Sequence, residues 1–197
     1  MNIPYPNNDA DTDKPILEVL KKRWSPIAFS SDPVSREDIE TLFEAARWTQ
    51  SSYNEQPWRF IYATKGEPDF EKLSGLLGAS NQYASSAYIL ILGSAVLRFK
   101  RNNEINRHAQ YDTGAAMNSI FLQAVGMGLV AHEMGGFDKE RAISELGILQ
   151  DVEPMAMMAV GYPGDPEGLT PELKEKQNKK RTRKELTEIA FEGKWPN

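Results

Sequence analysis

The sequence predicts an α+β fold, a mixed sheet flanked by helices in one domain. Three observations carry that expectation. Helical patterns come in succession before the first strand-like run. A later run, 87–96, is apolar on both faces, as the centre of a covered sheet must be, and 155–163 reads as a further core strand. Helices and strands then interleave with neither an internal repeat nor a linker between them.

The elements follow from local patterns. "KPILEVLKKR" places Ile16, Leu17 and Leu20 at helical spacing, and Pro26 stops that helix. Ser35, with Asp38 three residues on, is a capping signal, and Ile39, Leu42, Phe43 and Ala46 form one apolar face, so 35–48 is a helix. "WRFIYAT", 58–64, is aromatic and β-branched and reads as a strand. A helix is expected over 70–77, and a buried strand over 87–96. Met117, Ile120, Phe121, Ala124 and Val125 mark a long helix that ends near Gly126 or Gly128. "LVAHEM" is a short strand, Gly135-Gly136 a turn, and Asp138 the cap of a helix over 138–146. "MAMMAVGYP" supplies the last core strand, and Pro171 opens the final helix at its permissive first position. The first ~14 residues and the tail "FEGKWPN" read as extended arms.

Composition removes several functional classes. Among 197 residues there is no cysteine, which excludes disulfides and thiolate chemistry, and the two histidines, His108 and His132, have no metal-ligand spacing. A net charge of −5 argues against nucleic acid as a partner, although "KEKQNKKRTRK", 174–184, is a local basic excess. No apolar run is long enough to span a membrane, and the N-terminus lacks the apolar core of a signal peptide, so the cytoplasm is the expected compartment. There is no nucleophile elbow, phosphate-binding P-loop or dinucleotide fingerprint.

Three polar clusters remain: "KRWSP" at 22–26, "SSYNEQPW" at 51–58 and "RTR" at 181–183. Guanidinium groups of Arg23, Arg181 and Arg183 suit one phosphate, with Ser25 as a hydroxyl donor. Asn54 and Gln56 carry amides that suit a planar ring of alternating C=O and N–H groups. Taken singly, each has a plainer reading: an ordinary loop, a solvated helix face, a helix C-terminus. His132 reads as a packed or hydrogen-bonded histidine, and Met155, Met157 and Met158 as core.

In combination and order these clusters resemble the nitroreductase family of FMN-dependent oxidoreductases. The carriers are "RWSPIAF", "TQSSYNEQPWRF", "DTGAAMNSIFLQAVGMGLVAHEMGGFD" and "KKRTRKEL". The resemblance implies an intertwined homodimer with FMN at the subunit interface. Arg23, Trp24, Ser25, Arg181 and Arg183 would hold its phosphate and ribityl end. Ser51, Ser52, Tyr53, Asn54 and Gln56 would line the ring or come from the other subunit. Met134, Gly135 and Gly136 would offer backbone groups to the ring edge, and Asn81 a polar contact. The implied activity is ping-pong reduction of small electrophiles, such as nitroaromatics or quinones, by NAD(P)H, with no catalytic side chain and no metal. A flavin-storage module and an oxygen-using or flavin-consuming enzyme are the alternatives on the same resemblance. Two departures stand out: Ile27 and Trp24 occupy positions where the family often carries a basic residue.

Phe191 and Trp195 gain little in solvent, and aromatic residues are favoured at interface cores. Deleting 187–197 is therefore expected to weaken both dimerisation and FMN retention. Light scattering and flavin content measure this, and a monomeric wild type at micromolar concentration would contradict it.

Overall fold

The computed structural model describes residues 3–196. Its helices are α1 (Glu18–Lys22), α2 (Arg36–Arg47), α3 (Pro68–Gly75), α4 (Ala109–Gly126), α5 (Lys139–Glu145) and α6 (Pro171–Asn178). Its strands are β1 (Trp58–Thr64), β2 (Ile89–Val96), β3 (Val130–Met134) and β4 (Val152–Gly161). They form one sheet in the order β1-β2-β4-β3.

The α+β class holds, but the sheet within one chain is not mixed: all three ladders are antiparallel. β2, α4 and β3 make a crossover whose two strands run in the same direction. β4 inserts between them, so each pairs with an antiparallel neighbour.

Strand alternation sorts the core into two layers. Ile89, Ile91, Met158, Val160 and Ala131 face a cluster that includes Leu42 of α2 and Met117, Ile120 and Phe121 of α4. Leu90, Leu92, Met157, Ala159, Val130 and Met134 face the other layer, with Phe70 and Leu73 of α3 and Ala142 of α5. Every residue of β2 up to Ala95 is buried, as the doubly apolar run required. α2 starts where its cap does: Ser35 Oγ accepts from the Asp38 N–H at 3.0 Å.

Two details depart from the sequence reading, and a third element has no counterpart in it. Only Glu18–Lys22 of the first segment is helical, and Ile16 and Leu17 are exposed, so their spacing marks no core face of this chain. The last strand begins at Val152. Residues 79–86 form a 3-10 helix, which Ser85 and Ser86 reinforce by donating to the carbonyls of Gln82 and Tyr83.

An irregular segment beside the sheet bears most directly on function. Residues 24–30 lie along the exit of β4: Phe29 bridges Pro163, Ser30 N donates to Tyr162 O, and Gly164 N donates to Ala28 O. A Cβ at Gly164 would collide with the Phe29 backbone, so only glycine permits this approach. Gly164→Ala is expected to destabilise the protein by about 1–3 kcal/mol, as overpacking does. Thermal unfolding reads this, and an unchanged melting temperature would contradict it.

Candidate functional site

Beside β3, the sheet's edge strand, two hollows of about 280 and 300 Å³ share Ser25 and Lys176 and form one groove. Successive β3 residues flank it from opposite sides of the sheet. His132 lines the first hollow, and Glu133 lies within electrostatic reach of Arg23, which lines the second.

The second hollow is cationic. Arg23, Lys179, Lys180, Arg181 and Arg183 line it, and among the described residues none of them forms an ion pair. Burial, then the neighbouring charge of Arg183, holds the Arg23 guanidinium below its ordinary pKa. Burial, then Arg23 and Arg183, does the same to Arg181. Like charges gathered in one hollow repel one another, and guanidinium groups suit an anion, so the hollow favours an anionic ligand. Arg23 stacks over Phe121 of α4 at 5.2 Å. Arg181 Nη1 donates to Asn8 O at 3.1 Å and Lys21 O at 2.8 Å, while its Nε is buried with no partner. Arg181 therefore spends part of its donor capacity on fastening the chain's two ends together.

The first hollow is polar and near neutral, lined by Ser25, Ile27, Ser80, Asn81, Tyr83 and His132, with Lys176 at its junction. Asn81 Nδ2 donates to Gly136 O at 2.9 Å, and Gly78 N donates to the same carbonyl at 3.0 Å. These bonds pin the 135–136 turn to the 3-10 segment. A Cβ on Gly136 would stand 2.9 Å from Asn81 Nδ2, so glycine is what fits. Gln177, buried on α6, accepts from the Ile27 N–H at 2.8 Å and docks that helix on the groove wall.

The structure thus brings Arg23, Ser25, Arg181, Arg183, Asn81, Gly135 and Gly136 to one region. Trp24 lines the cationic hollow, but its indole is buried and donates to Pro6 O at 2.9 Å, so the ring is a packing group and not a ligand donor. Met134 is likewise a core side chain, leaving only its backbone for ligand contact.

Ser51, Ser52, Tyr53, Asn54 and Gln56 lie elsewhere. Their segment is fastened to the start of α4, where the buried carboxylate of Asp112 accepts from Ser52 N at 3.0 Å. Arg23 sits over Phe121, nine residues on, which is about 13 Å along the helix and half a turn out of phase. One chain does not place both clusters on one ligand. Yet the 51–56 segment is held in a costly shape. Tyr53, Asn54 and Gln56 have φ of 53°, 55° and 50°. Such left-handed residues cost about 1–3 kcal/mol each and persist where surrounding contacts over-determine them. Here Ser51 Oγ accepts from Gln56 N, Gln56 Nε2 donates to Asn54 Oδ1, and Glu55 accepts from Lys100 N.

Sequence reasoning missed Lys176, Lys179 and Lys180 as groove residues, since a basic run looks like a solvated face. It also missed Tyr83, whose neighbourhood to His132 is purely three-dimensional. Gln177 gave a faint signal, as an amide inside a run of charges.

The fold and groove define a class: an α+β protein with an elongated cleft, cationic at one end and hydrogen-bonding at the other, suited to a ligand with an anionic end and a flat polar end. The nitroreductase family model matches residues 20–91 and 77–162, and the chain belongs to that family. An uncharacterized 15.4 kDa protein of Mycolicibacterium smegmatis is 35% identical over 147 residues, covering 71% of this chain and 98% of that one. A protein of Archaeoglobus fulgidus, provisionally named NADH dehydrogenase/NAD(P)H nitroreductase, is 28% identical over 155 residues, 76% of this chain and 86% of its own. A crystal structure described as an oxidoreductase containing FMN superposes with a TM-score of 0.89 at 32% identity, covering 97% of this chain and 98% of that one.

Removing the buried Asp112 carboxylate orphans the Ser52 N–H and releases a strained loop. Asp112→Ala is expected to cost about 1.5–3 kcal/mol, the scale of a hydrogen bond to a charged group. Amide exchange at 51–56 should speed up ahead of global unfolding, and unaltered protection there would contradict the assignment.

Proposed function

We propose that the groove binds FMN and that the protein passes electrons from NAD(P)H to a small electron acceptor. The observation that carries this reading is the convergence of Arg23, Arg181 and Arg183, none of which forms an ion pair among the described residues, at one end of a groove whose other end is lined mainly by uncharged polar side chains with Lys176 at the junction. The donor set fits FMN: an orphaned Arg181 Nε and bidentate guanidinium groups for the phosphate, and the Ser25 hydroxyl beside them. Asn81, Gly135 and Gly136, at the polar end, would lie toward the ring. The relatives' names, one an FMN-containing oxidoreductase and one an NAD(P)H nitroreductase, support the same reading.

When bound, the isoalloxazine supplies the two-electron chemistry, which no side chain here could. The chain's own residues bind and orient. Arg23 and Arg183 anchor the phosphate. The 135–136 turn, pinned by Asn81, holds backbone groups at the ring edge. With the flavin in place, donor and acceptor would take turns at one open site, and ping-pong kinetics would follow.

The 51–56 shelf completes the site from a second copy of the chain. Three features support this: its place on the opposite flank of α4 from Arg23, its strained and pre-shaped backbone, and the apolar groups left bare on one chain. Tyr111 of α4 is 74% exposed, and in the tail Leu186, Ile189 and Trp195 are 61%, 61% and 81% exposed. Surfaces of this kind mark partner contacts.

Arg183→Ala, and Arg23→Ala more so, are expected to purify with much less flavin. A charge-assisted hydrogen bond contributes roughly 1.5–3 kcal/mol, or about one to two decades in affinity. Unchanged FMN dissociation constants in both variants would remove the phosphate assignment.

A further inference from the structure

The cationic end of the groove is bordered by chain that precedes the matched family region. That match begins at residue 20, whereas Asn8 lines the hollow together with Arg23, Arg181 and Arg183. Residues 5–10 form no helix or strand, and their fastenings are four long-range bonds. Trp24 Nε1 donates to Pro6 O at 2.9 Å, Asn8 Nδ2 to Lys179 O at 3.0 Å, Arg181 Nη1 to Asn8 O at 3.1 Å, and Ala10 N to Lys21 O at 2.9 Å. Trp24, Lys179 and Arg181 themselves line the hollow, and Lys21 lies two residues before Arg23. Lys21 O stands at the end of α1, where a helix leaves its carbonyls unpaired, and both Ala10 N and Arg181 Nη1 use it.

Arg181 faces two ways. The hydrogens of Nη1 go to Asn8 O and Lys21 O and fasten the arm. Nε and Nη2, the edge that grips a phosphate in bidentate fashion, make no hydrogen bond among the described residues. One rigid, planar group thus ties the arm on one side and offers donors to an anion on the other.

We propose that residues 5–10 are a strap across the phosphate end of the groove, and that strap closure and phosphate binding favour one another, so that the arm selects phosphorylated ligands, here FMN over riboflavin. This rests on the reading that the cationic hollow takes the FMN phosphate. Without an anion, closure works against the charges it gathers. Burial, then Arg23 and Arg183, lowers the Arg181 pKa. The arm brings no adequate counter-charge. Asp9 is exposed and forms no ion pair with Arg181 among the described residues. Tyr5 packs against both core layers, and burial pushes its phenol up to about 12 despite the Trp24 backbone and the charges of Arg23 and Arg181, so it stays neutral. Its hydroxyl is also buried without a completed hydrogen bond, a second cost of closure. A phosphate removes the repulsion, and a closed strap holds Arg181 at the hollow. By linkage each stabilises the other to the same extent, and release of the phosphate waits on the strap.

Hydrogen exchange at residues 5–10 of the ligand-free protein tests the coupling. FMN should slow it about five-fold or more, as should inorganic phosphate compared with chloride at equal ionic strength, while riboflavin should not. Asn8→Ala combined with Ala10→Pro removes two strap bonds and no charge. This variant should bind FMN about ten-fold more weakly and release it faster, with its riboflavin affinity unchanged. Exchange at 5–10 that ignores FMN and phosphate alike, or that chloride slows equally, overturns the proposal. Equal loss of FMN and riboflavin affinity in the variant also overturns it, because the arm then supports the groove as a whole. Thermal unfolding checks that the variant is folded, and if it is not, the wild-type exchange decides alone. Failure of FMN to bind, with phosphate still slowing exchange at 5–10, overturns the flavin reading and upholds the strap for another phosphorylated ligand.

Discussion

The guanidinium of Arg181, donating to the carbonyls of Asn8 and Lys21, is the contact on which the groove depends. It joins three stretches that are far apart in the chain: the N-terminal arm, the residues leading to Arg23, and the segment after α6. Neighbouring bonds reinforce the clasp, with Asn8 Nδ2 donating to Lys179 O and Ala10 N to Lys21 O. Arg23 and Arg183 are brought within repelling distance as a consequence. Such an arrangement costs stability until an anion arrives, and that cost is part of what anion binding returns.

Behind the clasp stands the sheet. β3 is the edge strand, yet its pairing with β4 fixes where His132 and Glu133 emerge, one to each face. Gly164 lets residues 24–30 settle against the exit of β4, which sets Ser25 and Ile27 in the groove wall. α4 runs behind both polar clusters, touching the 51–56 shelf through Asp112 and the cationic end through Phe121. The helix thus separates the two clusters within a chain. The left-handed backbone at Tyr53, Asn54 and Gln56 is held in place by Asp112, Ser51, and the Phe99 and Arg101 side chains that pack on Tyr53.

Much of this was legible in the sequence. Periodicity and capping located α2, and apolar runs located the two central strands, because burial leaves a period in the chain. Arg23, Ser25, Arg181 and Arg183, singled out by their chemistry and their order, line one hollow. Three things were hidden for physical reasons. The antiparallel ladders follow from β4 inserting between two parallel strands, a long-range choice that no local pattern records. The Tyr83–His132 pair is made by residues 49 apart. The burial of the Trp24 indole goes with its bond to Pro6 O, eighteen residues away, so which part of Trp24 faces the hollow is a long-range matter that no local pattern records.

The central claim is that the cationic end recognises a phosphate and the polar end a flavin ring. Dissociation constants of wild-type protein for FMN and for riboflavin, which lacks only the phosphate, test it most directly. FMN is expected to bind about a hundred-fold or more tightly, since at least two charge-assisted hydrogen bonds depend on that group, with the difference shrinking as salt is raised. Equal affinity for the two flavins, unaffected by salt, would contradict it.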